Sequence, residues 1–130
     1  MPKKPKPYNG GQWTEARFKS FIMSALRGAS LKWGPKAECL KEAYVKKGPN
    51  PKTGRPCKLH RCSACEGLFA KGDMRADHIA PVVDPSTGFV SWDSVVERMF
   101  VERVGYQAIC INCHHEKTAV EREQRKRNKK

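Results

Sequence analysis

The chain has 130 residues, with 26 Lys+Arg against 13 Asp+Glu for a formal net charge of 26 − 13 = +13, and only 38% of its residues are hydrophobic. That is material for one small domain whose apolar core alone provides little stability. No run of about 18 apolar residues is present to span a bilayer, and the opening Met1-Pro-Lys-Lys-Pro-Lys-Pro has no apolar signal-peptide core, so a cytoplasmic protein with no membrane segment is expected.

The first nine residues are rich in Pro and Lys and offer no apolar surface to repay ordering, so they are expected to be disordered or polyproline-like. From Thr14, a plausible N-cap, Phe18, Phe21, Ile22, Ala25, Leu26 and Ala29 recur at the spacing of one helical face. Trp33-Gly34-Pro35 ends that helix, and Ala37, Leu40 and Tyr44 predict a shorter second one, the two forming a helical hairpin. Residues 47–56 carry three prolines and two glycines and read as an irregular linker. Extended segments should flank Cys62-Ser-Ala-Cys65, and Met74 to Val83 reads as a strand interrupted at Pro81. Ser91 is placed to cap a third helix with Trp92, Val95, Val96, Met99 and Phe100 on its apolar face. Tyr106 to Ile111 resembles a short strand. A last helix is expected from near Cys113, anchored by Ala119 and Val120 and fraying into a basic end.

Two pairs of cysteines share one spacing: Cys62-x2-Cys65 and Cys110-x2-Cys113, separated by 44 residues. Each two-residue gap lets both thiolates of a knuckle reach one tetrahedral ion, and in a reducing compartment such pairs predict a structural Zn2+ bound by four cysteines. Such a clasp ties the beginning and end of the second half together and compensates for the thin core. A closed four-thiolate shell has no free position, so this ion cannot activate water. Cys39 and Cys57 fall outside the pattern and read as ordinary core or surface cysteines, although Cys57 and His60 lie close enough to the first knuckle to be alternate ligands.

Within the loop between the knuckles lies Arg75-Ala-Asp77-His78-Ile79-Ala-Pro81, and the second knuckle runs into His114-His115-Glu-Lys117-Thr118. A clasp that joins the knuckles brings these segments together and places Asp77, His78 and His114 at one site. A carboxylate and an imidazole suit Mg2+, Mn2+ or a related divalent ion, and an imidazole not bound to metal is a general base at neutral pH. Singly, each residue has a plain reading as a turn, a hydrogen-bonded pair or a helix-start residue.

Jointly, Ala-Asp77-His78-Ile on a strand and Cys110-x2-Cys113-His114-x2-Lys117-Thr118 at a helix start resemble the HNH endonuclease family, in its small phage-type members with a zinc clasp. The resemblance implies an α+β fold: a ββα-metal core with a four-cysteine zinc clasp, here preceded by the helical hairpin. It implies that His78 is the general base, that Asp77 and His114 hold a catalytic Mg2+, Mn2+ or Ni2+, and that Cys62, Cys65, Cys110 and Cys113 hold the structural zinc. His115 is outside the pattern. Where the family usually has Asn shortly before the second knuckle, this chain has Gly105, which leaves Gln107 or Asn112 to brace the loop carrying the base. The chain then divides into a basic disordered arm (1–13), a helical segment (14–46), a linker (47–56), the nuclease core (57–120) and a basic tail (121–130).

The implied activity is metal-dependent hydrolysis of double-stranded DNA, by nicking or double-strand cleavage, with low sequence preference and with phage DNA processing or the packaging machinery as its setting. Arg75 and Lys117 are the candidate phosphate contacts beside the site. The two tails, with three Lys in residues 1–7 and six Lys/Arg against two Glu in residues 121–130, carry +7 of the +13 and would gather DNA electrostatically. The alternative is a non-catalytic zinc-ribbon adaptor that binds nucleic acid and uses Asp77 and His78 as ordinary polar residues.

Overall fold

The structure, a computed structural model, describes residues 3–128, so the outermost residues of the expected arm and tail lie outside it. Its described residues divide into two compact units, 3–33 and 34–128, so the two expected helices of the hairpin fall in different units. The first unit is a turn and a helix. Tyr8 and Trp13 form an antiparallel bridge around Asn9-Gly10-Gly11-Gln12, and α1 runs over Glu15–Ser30. Thr14 is its N-cap, its side chain accepting from the Arg17 N–H at 3.2 Å. Aromatic contacts hold the turn on the helix: Tyr8 stacks on Phe18 with centroids 4.2 Å apart, Trp13 meets Phe21 at 5.0 Å, and the Arg17 guanidinium lies over the Trp13 ring. Residues 8–13 of the expected disordered arm are thus ordered, because Tyr8 and Trp13 supply the apolar contact that its lysines and prolines lack.

In the second unit α2 spans Gly34–Glu42 and buries Cys39 completely. The expected helix does not continue to Tyr44, which instead opens β1 (Tyr44–Pro49); β1 pairs antiparallel with β2 (Pro56–Arg61), and β2 pairs with β3 (Leu68–Ala70). The stretch 47–56 is thus a hairpin rather than an irregular linker. Two of its prolines lie at the strand ends, Pro49 opposite Pro56, where a missing N–H costs least, and Pro51 lies in the turn. Between them Asn50 Oδ1 accepts from the Lys52 N–H, Thr53 Oγ1 accepts from the Arg55 N–H, and Gly54 takes φ +75°.

A second sheet is formed by β4 (Met74–His78) and β5 (Tyr106–Cys110), joined through α3 (Trp92–Met99). The strand predicted over Met74 to Val83 stops at His78. Ser91 caps α3 as expected, accepting from the Ser94 N–H at 3.2 Å. From β5 the chain passes directly into α4 (Ile111–Asn128), two residues before the predicted start. The expected frayed tail is helical through Asn128; Arg125, Lys126 and Arg127 in the last turn complement the carbonyl end of the helix. The core collects Cys39, Leu59, Cys62, Met74, Val95, Met99, Tyr106, Ala108, Ile109 and Cys110. The fold is mixed α+β with two small sheets.

Gly105, which departs from the family pattern, has a packing reason. A Cβ there would lie 2.8 Å from Val101 Cβ and 2.5 Å from its Cγ2, and a β-branched side chain has little rotamer freedom with which to yield. Gly105→Ala is expected to destabilise the fold by about 1–3 kcal/mol, and adding Val101→Ala should recover only part of the loss, because alanine keeps the Cβ that would lie 2.8 Å away. Equal thermal melts of wild type and the single variant would contradict this packing.

Candidate metal sites

The four cysteines of the two knuckles converge. Their Sγ atoms all lie within 4.8 Å of one another, and among the described residues they are the one group of three or more His, Cys, Asp or Glu ligands close enough to hold an ion. Tetrahedral Zn2+ with bonds of about 2.3 Å sets sulfurs about 3.8 Å apart, and Cys65 Sγ is 4.0 Å from Cys110 Sγ. The cluster can therefore hold a structural metal ion, and four thiols are a ligand set suited to zinc.

Local backbone geometry places each knuckle. Cys62 directly follows β2, and Glu66 takes φ +64° in the turn beyond it, returning the chain to β3. Cys110 closes β5, and Cys113 lies in the first turn of α4. Cys62 Sγ accepts the N–H of Cys65 at 3.4 Å and of Cys110 at 3.3 Å. Burial pushes the Cys62 thiol up, but the N–H groups of Cys65, Cys110 and Ala64 outweigh it and bring its pKa to about 6. The Cys113 thiol, sharing a hydrogen bond with Cys110 and facing Cys62, is raised. One thiolate thus forms readily and opposes the ionisation of another, a conflict that a divalent cation at the centre removes. Cys39, buried and with its pKa raised by that burial, Cys57 and the buried His60 are not in the cluster.

The pairing of β4 with β5 orders the second constellation. Asp77 lies opposite Gln107 and His78 opposite Tyr106, so alternation sends the side chains of Asp77 and His78 to opposite faces of the two-stranded sheet. On one face, buried Asp77 meets α4: its Oδ1 is 3.2 Å from His114 Nδ1, and its Oδ2 accepts from Lys117 Nζ at 2.6 Å and from Gln107 Nε2 at 3.0 Å. Lys117 also donates to the His78 carbonyl and lies 3.6 Å from Glu121. Despite its distance from Asp77, His114 Nδ1 is a buried atom that makes no hydrogen bond. Two ligand atoms on adjacent positions of an octahedral ion with bonds of about 2.1 Å are about 3 Å apart. This pair has the separation of two ligands rather than the geometry of a donor and an acceptor.

On the other face, His78 Nε2 lies 2.7 Å from the Met99 carbonyl, and its ring packs against Tyr106 at 4.7 Å. The Tyr106 hydroxyl donates to the same carbonyl at 2.9 Å. Because a carbonyl only accepts, Nε2 carries the proton and Nδ1 keeps the lone pair. Burial lowers the His78 pKa, opposed by the Met99 hydrogen bond and assisted by the charge of Lys36. Lys36 itself is lowered by burial and stands 6.0 Å from the Tyr106 ring centroid.

The structure thus joins Asp77 to His114 and holds the His78 ring through Met99 and Tyr106. Lys117, expected as a phosphate contact, is engaged by Asp77 and the His78 carbonyl. Exposed Arg75 donates to the carbonyls of Gly72 and Met74. Gln107 braces the Asp77 carboxylate, Asn112 is exposed on α4, and the Gly105 carbonyl accepts from the Ile79 N–H at 2.9 Å, steadying the end of β4. His115 is exposed. Sequence reasoning missed Met99, Tyr106 and Lys36; the only available signal was the position of Tyr106 at the head of the strand leading to the second knuckle.

No family model, curated protein or solved structure matches this chain.

The cysteine geometry predicts one tightly held metal ion in that cluster. Prolonged dialysis against a strong chelator, and separately Cys113→Ser, are each expected to abolish the cooperative thermal melt. An untreated protein free of metal by elemental analysis, with a melt unchanged by the chelator, would contradict the clasp.

Proposed function

We propose that the chain is a divalent-metal-dependent HNH endonuclease that hydrolyses phosphodiester bonds of double-stranded DNA with little sequence preference, its four-cysteine cluster holding a structural Zn2+. The observation that carries this reading is the Asp77–His114 pair, a buried carboxylate and an unpartnered imidazole nitrogen at 3.2 Å. The succession of β4, β5 and α4, with Asp77 and His78 ending the first strand and His114 opening the helix, supports it. So does the net charge of +13, which favours a polyanionic substrate. Phage DNA processing or packaging is the setting that the sequence resemblance suggests.

Asp77 and His114 would hold the divalent ion, which would supply Lewis-acid stabilisation of the scissile phosphate. The chain contributes the rest. Gln107 and Lys117 saturate Asp77 Oδ2 and leave Oδ1 as the ligand atom. The Met99 carbonyl fixes the His78 tautomer, so that Nδ1 is the atom that takes a proton from the attacking water. Met99 and Tyr106 thereby do for His78 what the family's Asn would do in a chain without Gly105.

The alternative of a non-catalytic zinc-stabilised adaptor is favoured by one observation: the Lys117 ammonium already neutralises Asp77 without any ion. Supercoiled plasmid separates the two. Nicked or linear product is expected only with added Mg2+, Mn2+ or Ni2+, and His78→Ala should cut at least about 10²-fold more slowly. Identical cleavage by wild type and variant in every condition, metal-free included, would remove His78 from the chemistry.

Because His78 works as its neutral form and its pKa is lowered, the base persists to more acidic pH than an ordinary histidine would allow. The acid limb of kcat/KM should therefore break below about 6.5, the ordinary imidazole value. A break above it would show that His78 is not the titrating base.

A further inference from the structure

The β1–β2 hairpin carries a charge pattern that neither the fold nor the proposed chemistry uses. Residues 44–61 contain six Lys/Arg (Lys46, Lys47, Lys52, Arg55, Lys58 and Arg61) and no Asp or Glu. Lys52 is paired with Asp73 at 2.8 Å; among the described residues none of the other five has a carboxylate partner within 4.0 Å. The strand register then sets Lys47 directly opposite Lys58, on one face of the ribbon. Like charges directly opposed across strands destabilise a sheet, and both lysines are exposed. Tyr44 lies on the same face through its pairing with His60; its ring meets the His60 ring edge-on and remains exposed.

The hairpin is also held in place. The third strand pairs with β2 only over Leu59–Arg61, so the stretch bearing Lys47, Arg55 and Lys58 projects as a two-stranded ribbon. Its tip is closed by the Asn50 N–H donating to the Arg55 carbonyl at 2.8 Å. The Lys52–Asp73 pair fixes that tip against the residue preceding β4, the strand that carries Asp77.

We propose that the β1–β2 hairpin is a docking element for the phosphates of duplex DNA, with Lys47 and Lys58 as its paired contacts and Arg55 extending them toward the tip. A two-stranded ribbon is narrow enough to follow a DNA groove about 12 Å wide. An opposed lysine pair that costs folding stability becomes favourable when phosphates lie against it and their counterions are released. The role rests on the nucleic-acid reading above but on none of the residues assigned to chemistry. It gives the substrate a second footing tied to the strand that bears the metal ligand.

The test is binding of a fluorescent random-sequence 20-base-pair duplex, read by anisotropy across a salt series, without added divalent metal and in a His78→Ala background that slows cleavage. Loss of both lysines in Lys47→Gln/Lys58→Gln should weaken binding and make the slope of log K against log[salt] shallower by about 1.8. Arg55→Gln should remove about half that slope change. The thermal midpoint of the double variant should stay at or above that of its parent, since a like-charge pair is gone. Parent-like affinity and slope in the double variant would overturn the docking role while leaving the nuclease reading intact. Failure of the parent to bind the duplex at all would overturn both. Hairpin-dependent binding to phosphatidylserine vesicles, with none to the duplex, would assign the surface to a membrane instead.

Discussion

Cys62 Sγ is the point on which the second unit turns. It receives N–H groups from its own knuckle and from Cys110, and so joins the end of β2 to the junction of β5 and α4, segments far apart in sequence. It and the three sulfurs around it would repel as thiolates and would cohere around a cation. In a chain with so few apolar residues, that cohesion would supplement the core. The two elements that carry His114 and Gln107 leave the cluster directly, so the position of the second site relative to β4 depends on the first.

Register makes the rest of the site. With Met74 opposite Cys110 and His78 opposite Tyr106, pleat alternation separates Asp77 from His78 and gives each its own partners. Asp77 faces α4, where Lys117 and Gln107 take one oxygen and His114 faces the other. His78 faces the end of α3, where the Met99 carbonyl holds Nε2. A shift of one residue would exchange these faces and leave a carboxylate against an aromatic ring and a carbonyl. The cluster at Cys110, the last paired residue of β5, guards against that slip.

The sequence made much of this legible, and for identifiable reasons. The cysteine spacing is a local signal that needs only a turn to be realised, and the sulfurs do converge. Thr14 and Ser91 cap the helices they precede because their hydroxyls satisfy N–H groups two or three residues on, a purely local requirement. The Asp77–His114 pair was inferable once the knuckles were joined. The hairpin at 47–56 was not, because prolines that argue against regular structure are tolerated at strand ends, and nothing local distinguishes the two cases. Tyr44 read as helical by spacing, yet pairing with His60 places it in a strand. The support of His78 by a backbone carbonyl was also invisible, since main-chain acceptors carry no side-chain signature. Gly105, a gap in the family pattern, proved to be a residue demanded by Val101.

The central proposal is that Asp77 and His114 share a divalent ion, and the most direct measurement is Mn2+ binding followed by electron paramagnetic resonance on protein whose cysteine cluster is already filled with zinc. Wild type should bind one Mn2+ per chain, and Asp77→Ala and His114→Ala should each lose it while retaining zinc and a cooperative melt. No Mn2+ binding by wild type, or undiminished binding by both variants, would contradict the assignment of this pair as a metal site.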